Sequence, residues 1–356
     1  MKYILIILFF FSFFVSCNKK NSSNANQVTL IQDEKQIVAF IYHRFGDSEY
    51  PSTNTSLEDF ESHLKYLQEQ KLPVLTLSHA LESLNKRGGP KRIIVLTIDD
   101  GFLSFYENGL PLLKEYQFPA TLFINTETVG GNTYMDWAQI REVKEAGIEI
   151  GNHTHSHSYF LNIPDDERYI VFQDEIRQSQ KLIEENLGIT PDVFAYPYGE
   201  YDAKMKDIVE KEGFAAAVAQ NSGVIGGQYE LFALPRFPMS SSYASISDFS
   251  EKVNMNSLSA KEVGETLHLI DKGHDSPELK FEISTKNLQF DQMQCFIQGG
   301  ECVMKKDTTS RNSLVVSIKA EAPLIRRRTL YTITVPDQDG NWYWYSHLWI
   351  NPSVSE

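Results

Sequence analysis

The sequence predicts an α/β protein in which a parallel sheet is wrapped by helices, followed by a small antiparallel β-sandwich. Three observations carry this expectation. Up to about residue 257, short apolar runs alternate with amphipathic stretches at helical spacing. Several of those runs stop on polar residues, and in parallel sheets the chemistry gathers at the carboxyl ends of the strands. Beyond about residue 258 the runs become short, alternating or aromatic, separated by Gly, Asp, Asn and Pro, as antiparallel strands are. An incomplete barrel and an open doubly wound sheet satisfy the first part equally.

Taken in order, Met1 and Lys2 precede a thirteen-residue run, 3–15, interrupted only by Ser12. A membrane-spanning helix needs ~20 apolar residues, so residues 1–17 read as a secretory signal. It ends at Cys17, which resembles the lipid-modified first residue of a mature bacterial lipoprotein and would tie the chain to a membrane. Residues 18–35, rich in Asn, Ser, Lys and Gln, read as a flexible tether. The first domain, 36–257, opens with an apolar run, 37–43, ending in His43. Ser56 is placed to cap a helix bearing Leu57, Phe60, Leu64 and Leu67 on one stripe. A short strand and helix fall within 74–85, then a strand at 93–98. Next come a helix at 110–116, a strand at 120–124 and a helix at 137–146, with Asp136 and Gln139 placed to cap it. A strand at 147–150, a long helix at 166–187, a strand at 193–196 and a helix at 202–212 follow. Strands at 215–219 and 232–237 and a helix at 247–253 complete the domain. The second domain, 258–356, has candidate strands at 279–283, 292–297, 313–318, 329–335 and 342–350.

Composition bounds the function. Of 356 residues, 42% are hydrophobic and 22% charged, ordinary for a protein with a sizeable core. Lys and Arg number 33 against 47 Asp and Glu, a net charge of −14, which leaves no basic field for nucleic acid. A neutral or cationic polymer is easier to accommodate. With Cys17 lipidated, Cys295 and Cys302 remain as a pair suited to an oxidising compartment. A hairpin centred on Gln298-Gly299 would set them opposite each other in a short-loop disulfide. Trp342, Tyr343, Trp344 and Tyr345 point alternately to two faces, one for the sandwich core and one to pack on the first domain or to stack on sugars. Arg326, Arg327 and Arg328 read as a solvated strand end, with contact to an anionic glycan as the alternative.

Two stretches carry chemistry. The strand at 93–98 ends in Asp99-Asp100-Gly101, and neighbouring carboxylates repel unless a cation or a proton-transfer task separates their roles. The run 147–150 leads into Gly151-Asn152-His153-Thr154-His155-Ser156-His157, three imidazoles in five residues. Imidazole is the commonest metal ligand, and His-x-x-x-His would set His153 and His157 on one side of a helical turn. With Asp100 they make two nitrogens and one oxygen, leaving open positions for water and substrate. Asp99 is then free to take a proton from the activated water.

Thr-x-Asp-Asp-Gly ending at Gly101, His153-Thr154-x-x-His157 and Ala195-Tyr196-Pro197-Tyr198-Gly199 together resemble the first three motifs of the NodB-homology polysaccharide deacetylases, carbohydrate esterase family four. The resemblance covers roughly 36–250, and three motifs in order are more specific than one. It implies a distorted (β/α) barrel of about seven strands and hydrolysis of N-acetyl groups on a polysaccharide. It also implies a divalent metal, zinc ahead of Co2+, Fe2+, Mn2+ or Ni2+, and an oxyanion donor in the Tyr198 backbone N–H. Thr154 resembles the hydroxyl residue that orients the second histidine ligand, and His155 falls on no ligand position.

Two departures matter. Where the third motif often begins with arginine the chain has Ala195, and Arg236 is the best substitute to orient the base. The late Leu-x-His motif has only Leu267-His268 as a match. His43, placed early as in the poly-N-acetylglucosamine deacetylase subgroup, is the better general acid. Two rivals remain. A non-haem iron enzyme could use the same triad but gives Asp99 no task, and a non-catalytic glycan-binding lipoprotein is compatible with Ala195. Oligomeric state, polymer and metal identity are not legible.

Overall fold

The computed structural model describes residues 35–226, 230–263, 268–270, 275–284, 287–310 and 313–355. The signal segment, Cys17 and the tether up to residue 34 lie outside the described residues, as does Leu267.

Seven parallel strands build the first part: β1 (Gln36–Tyr42), β2 (Arg92–Ile98), β3 (Thr121–Ile124), β4 (Glu149–Asn152), β5 (Val193–Ala195), β6 (Ala216–Val218) and β7 (Phe237–Pro238). They lie in the order β7-β1-β2-β3-β4-β5-β6, with the two-residue strand Val74–Leu75 also on β2. Between them run α1 (Leu57–Glu69), α2 (Leu77–Asn85), α3 (Leu110–Tyr116), α4 (Trp137–Glu145), α5 (Asp165–Leu187), α6 (Ala203–Lys211) and α7 (Ile246–Asn254). This is a distorted (β/α) half-barrel.

Its central strands are apolar on both faces because both are covered. Val38, Phe40 and Tyr42 of β1 and Ile94, Leu96 and Ile98 of β2 join one core, while Ile37, Ala39, Ile93 and Val95 join another with β5 and β6. Local signals set the helix starts: Ser56 caps α1 through the Asp59 amide, and Asp136 and Gln139 form a capping box on α4. The strand expected at 232–237 is much shorter. Leu234 makes a single bridge to Val218, and only Phe237–Pro238 joins the ladder. Pro235 and Pro238 lack the N–H a longer ladder needs, and here the barrel is left incompletely closed.

The second part has strands β8 (Asn256–Ser257), β9 (Ala260–Glu262), β10 (Leu279–Ser284), β11 (Gln294–Ile297), β12 (Cys302–Ser310), β13 (Ser313–Ala320), β14 (Arg328–Pro336) and β15 (Trp342–Ile350). Two sheets, β8-β15-β14-β11 and β9-β10-β13-β12, enclose a core that includes Phe281, Val316, Ile318, Tyr331, Ile333 and Trp349. Cys295 and Cys302 form a disulfide with Cα atoms 6.0 Å apart. They are not opposed across a hairpin, as expected, because β11 pairs with β14 and β12 with β13. The bond therefore ties one sheet to the other.

Trp342 and Trp344 pack against the barrel core and Tyr343 and Tyr345 against the sandwich core, so the aromatic alternation serves packing on both faces. Trp344 meets Phe237 edge-on at 5.4 Å and donates from Nε1 to the Ser222 carbonyl at 3.1 Å. Barrel and sandwich belong to one compact unit, Asp33–Glu356.

Candidate metal centre and active site

The carboxyl ends of the strands bring together residues that are distant in sequence. Asp99 and Asp100 follow β2, and the Asp99 amide donates to the Tyr42 carbonyl at 2.9 Å, in register with the end of β1 and hence with His43. His153 follows β4, its amide bonded to the Ile124 carbonyl at 3.0 Å. Gly151 within β4 has a packing reason: a Cβ there would sit 2.3 Å from the Phe123 ring.

Asp100 Oδ1 lies 3.5 Å from His153 Nε2 and 3.4 Å from His157 Nε2, and the two Nε2 atoms are 3.1 Å apart. Among the described residues these three form the only group of His, Cys, Asp or Glu able to share a metal ion. A point about 2 Å from all three atoms exists, the bond length of zinc and similar ions. Three further observations test the fit. Asp100 Oδ1 is buried with no hydrogen-bond partner. His153 Nδ1 lies 2.7 Å from the Ala195 carbonyl, which can only accept, so a neutral His153 turns the bare lone pair of Nε2 to the centre. Burial pushes His157 down to about 4, so it stays neutral, the form that ligates. The residues fit a divalent ion.

His153 and His157 do not sit on a helical turn, as expected from their spacing. Beyond Asn152 the chain is a loop, with Thr154 at φ 66° and His157 at φ 53°. Of the seven described non-glycine residues with positive φ, four are Asp100, Thr154, His157 and Tyr198. Strain of about 1–3 kcal/mol at each persists only where surrounding contacts enforce it. Those contacts are visible: Asn152 Oδ1 accepts the Thr154 amide at 2.8 Å, and Glu175 of α5 accepts the His155 and Ser156 amides at 3.1 and 2.6 Å. The Thr154 hydroxyl holds the His157 backbone N–H at 3.2 Å rather than its ring. His155 turns to Thr126 at 2.9 Å.

Asp99 is fully buried and gripped by Arg236, whose Nη1 and Nη2 donate to its two oxygens at 2.7 and 2.8 Å. Arg236 is also fully buried and donates to the Ala219 carbonyl and the Thr97 hydroxyl, both at 3.0 Å. Burial alone would raise the Asp99 carboxyl, but the charge of Arg236 and its two hydrogen bonds outweigh it and hold the group below its usual range. Asp99 therefore stays ionised, 3.8 Å from His153 Nε2. Ala195, small and apolar, is buried in the inner core.

His43, Asp100, His157 and Tyr198 line one cavity of about 400 Å³, together with Arg328. Tyr198 takes φ 58°, ψ 6°, and its amide donates to no backbone acceptor among the described residues. Gly199 makes that turn possible, since a Cβ there would lie 2.6 Å from the Gln220 backbone. The Tyr198 ring stacks on Tyr159 at 3.7 Å and lies 4.4 Å from His157. His268, by contrast, stacks on His347 in a separate cavity between barrel and sandwich.

Arg326-Arg327-Arg328 is not a solvated strand end throughout. Arg327 is buried and holds Glu200 at 2.6 and 2.7 Å, and Arg328 reaches the same carboxylate at 3.0 Å. Asn152, Glu175, Tyr159 and Glu200 were given no role from sequence, whereas Arg328 was read with its neighbours as a solvated strand end. Asn152 and Glu200 left a signal, standing directly beside the histidine stretch and the 195–199 motif.

Residues 86–217 match the family model for polysaccharide deacetylase. A poly-beta-1,6-N-acetyl-D-glucosamine N-deacetylase of Staphylococcus aureus is 28% identical over 234 residues, spanning 62% of this chain and 80% of that protein. Among solved structures, the deacetylase PplD of Streptococcus pyogenes superposes with a TM-score of 0.56 at 21% identity, covering 62% of this chain and 99% of the other. IcaB of Ammonifex degensii does so at 0.55 and 24% identity, covering 62% and 97%. The two superpositions establish a shared fold. Over this region the chain is similar to polysaccharide deacetylases, which are hydrolases.

Proposed function

We propose that the protein removes acetyl groups from N-acetylglucosamine units of a cell-surface or matrix polysaccharide by metal-assisted hydrolysis, releasing acetate. The observation that carries this reading is the convergence of Asp100, His153 and His157 on one point, with ionised Asp99 beside them but held by Arg236 instead. A divalent ion there, zinc first, would polarise the acetyl carbonyl and lower the pKa of the attacking water. Asp99 accepts the proton of that water, and the Arg236 fork fixes its two oxygens so that one lone pair stays aimed at the centre. The Tyr198 amide donates to the oxyanion that forms. His43, on the cavity wall, donates a proton to the leaving amine. Arg236, just before β7, supplies the cation that the third motif lacks at Ala195.

The Staphylococcus aureus relative supports the choice of glucosamine polymer. The signal-like segment ending at Cys17 supports export and lipid anchoring to a bacterial membrane. Acetate release from a panel of N-acetylated glycans, with and without chelator, tests the proposal. No release from any glycan after metal loading would reject it.

A further inference from the structure

We propose that the β-sandwich builds part of the substrate cleft: Arg328 positions the glycan, and the cavity beyond it takes the sugars next to the one being deacetylated. This rests on the deacetylase reading above and extends it to the second part of the chain.

Two cavities meet at Arg328. The first, of about 400 Å³, holds His43, Asp100, His157 and Tyr198. The second, of about 450 Å³, is lined by Gln298, Arg326, Leu330 and Val354 of the sandwich. Gln220, Pro238 and Arg328 line both, so the cavity on the sandwich adjoins the one that holds the candidate metal ligands.

Arg328 is held in place rather than loosely exposed. It opens β14, its side chain is 22% exposed, and its Nη1 lies 3.0 Å from Glu200 Oε1. Glu200 is fixed by buried Arg327, and its amide donates to the Pro197 carbonyl at 3.1 Å, inside the turn that carries Tyr198. One carboxylate thus locks the start of a sandwich strand to the third motif. The Arg328 guanidinium comes to lie 5.5 Å from the Tyr198 ring, and that of Arg327 4.4 Å from Tyr159, which stacks on Tyr198. Guanidinium donors beside stacked aromatic faces suit a ligand with many oxygens and flat apolar patches, which is the chemistry of a pyranose chain.

Longer oligomers therefore gain contacts that a single sugar cannot make. The test is acetate release by the metal-loaded full chain from N-acetylglucosamine oligosaccharides, monomer to hexamer. For wild type, KM should fall as the oligomer lengthens. Arg328→Ala should raise KM for the hexamer roughly tenfold, as loss of one charge-assisted hydrogen bond does, with kcat within about twofold. Arg328→Lys should recover part of the loss, having the charge without the fork. Arg326→Ala, at an exposed position whose loss does not threaten folding, should raise KM for long oligomers only. Equal KM and equal length dependence in wild type and both alanine variants overturns the proposal and leaves the deacetylase intact. No acetate release by wild type from any oligomer overturns both.

Discussion

At the scale of single residues, the chemistry turns on how two adjacent carboxylates are given different surroundings. Asp100 offers a buried oxygen with no hydrogen-bond partner to the histidines, while both oxygens of Asp99 are taken by Arg236. Asp99→Asn keeps the shape and removes the base. Turnover should fall by about 10²–10⁴ while metal content stays unchanged by elemental analysis; loss of metal would show the two roles reversed. Arg236→Met leaves Asp99 buried and uncompensated, so it should destabilise the fold by about 3–5 kcal/mol in urea unfolding as well as slow turnover. His43→Ala should cost turnover and spare metal, and a wild-type rate would reject its role as acid. That Arg236 faces Asp99 could only be offered as a substitute from sequence, because a lone arginine near a strand end carries no mark of where its side chain goes.

At the scale of elements, the histidine loop shows where sequence periodicity misleads. His-x-x-x-His satisfies a helical turn, yet the local chain is a loop with two left-handed residues, held by Asn152, Thr154 and Glu175. The spacing pointed to the two histidines that the fold brings beside Asp100, but for the wrong local reason. Glu175, twenty residues away on α5, looks from sequence like any exposed helix carboxylate. Glu175→Ala should weaken metal binding about 10–100-fold in chelator competition, because it frees the loop without touching a ligand. The disulfide shows the same limit. Cys295 and Cys302 were paired correctly, but the chain between them crosses from one sheet to the other instead of turning back in a hairpin. Replacing both with serine should cost about 2 kcal/mol in denaturant unfolding, the loop-entropy value for so short a span.

At the scale of the whole molecule, stability depends on contacts that join distant parts, and one of them titrates. His63 of α1 accepts from the Tyr42 hydroxyl at 3.0 Å and donates to the Ala244 carbonyl at 2.7 Å, with its ring stacked on Phe249 at 4.0 Å. Burial pushes its pKa down to about 4, so the folded protein holds it neutral while the unfolded chain protonates it near 6.5. Its contribution is complete above about pH 6.5 and is lost as pH falls towards 4, about 3 kcal/mol over that window. Urea unfolding at stepped pH should show this decline, and His63→Gln should flatten it.

The sequence by itself determined the strand–helix alternation, the apolar faces, the helix caps and which side chains are candidates for chemistry. These depend on neighbours within a few residues, through hydrogen bonds at helix ends and the fixed periods of strand and helix. Only the tertiary structure decided that Arg236 grips Asp99, that Glu175 braces the histidine loop, and that Arg327 and Arg328 meet Glu200 beside Tyr198. Those partners lie on or beside separate elements, and their approach is set by how the sheet curves and how the sandwich docks. Such contacts come from packing of the whole chain, which leaves no periodic trace in any one segment.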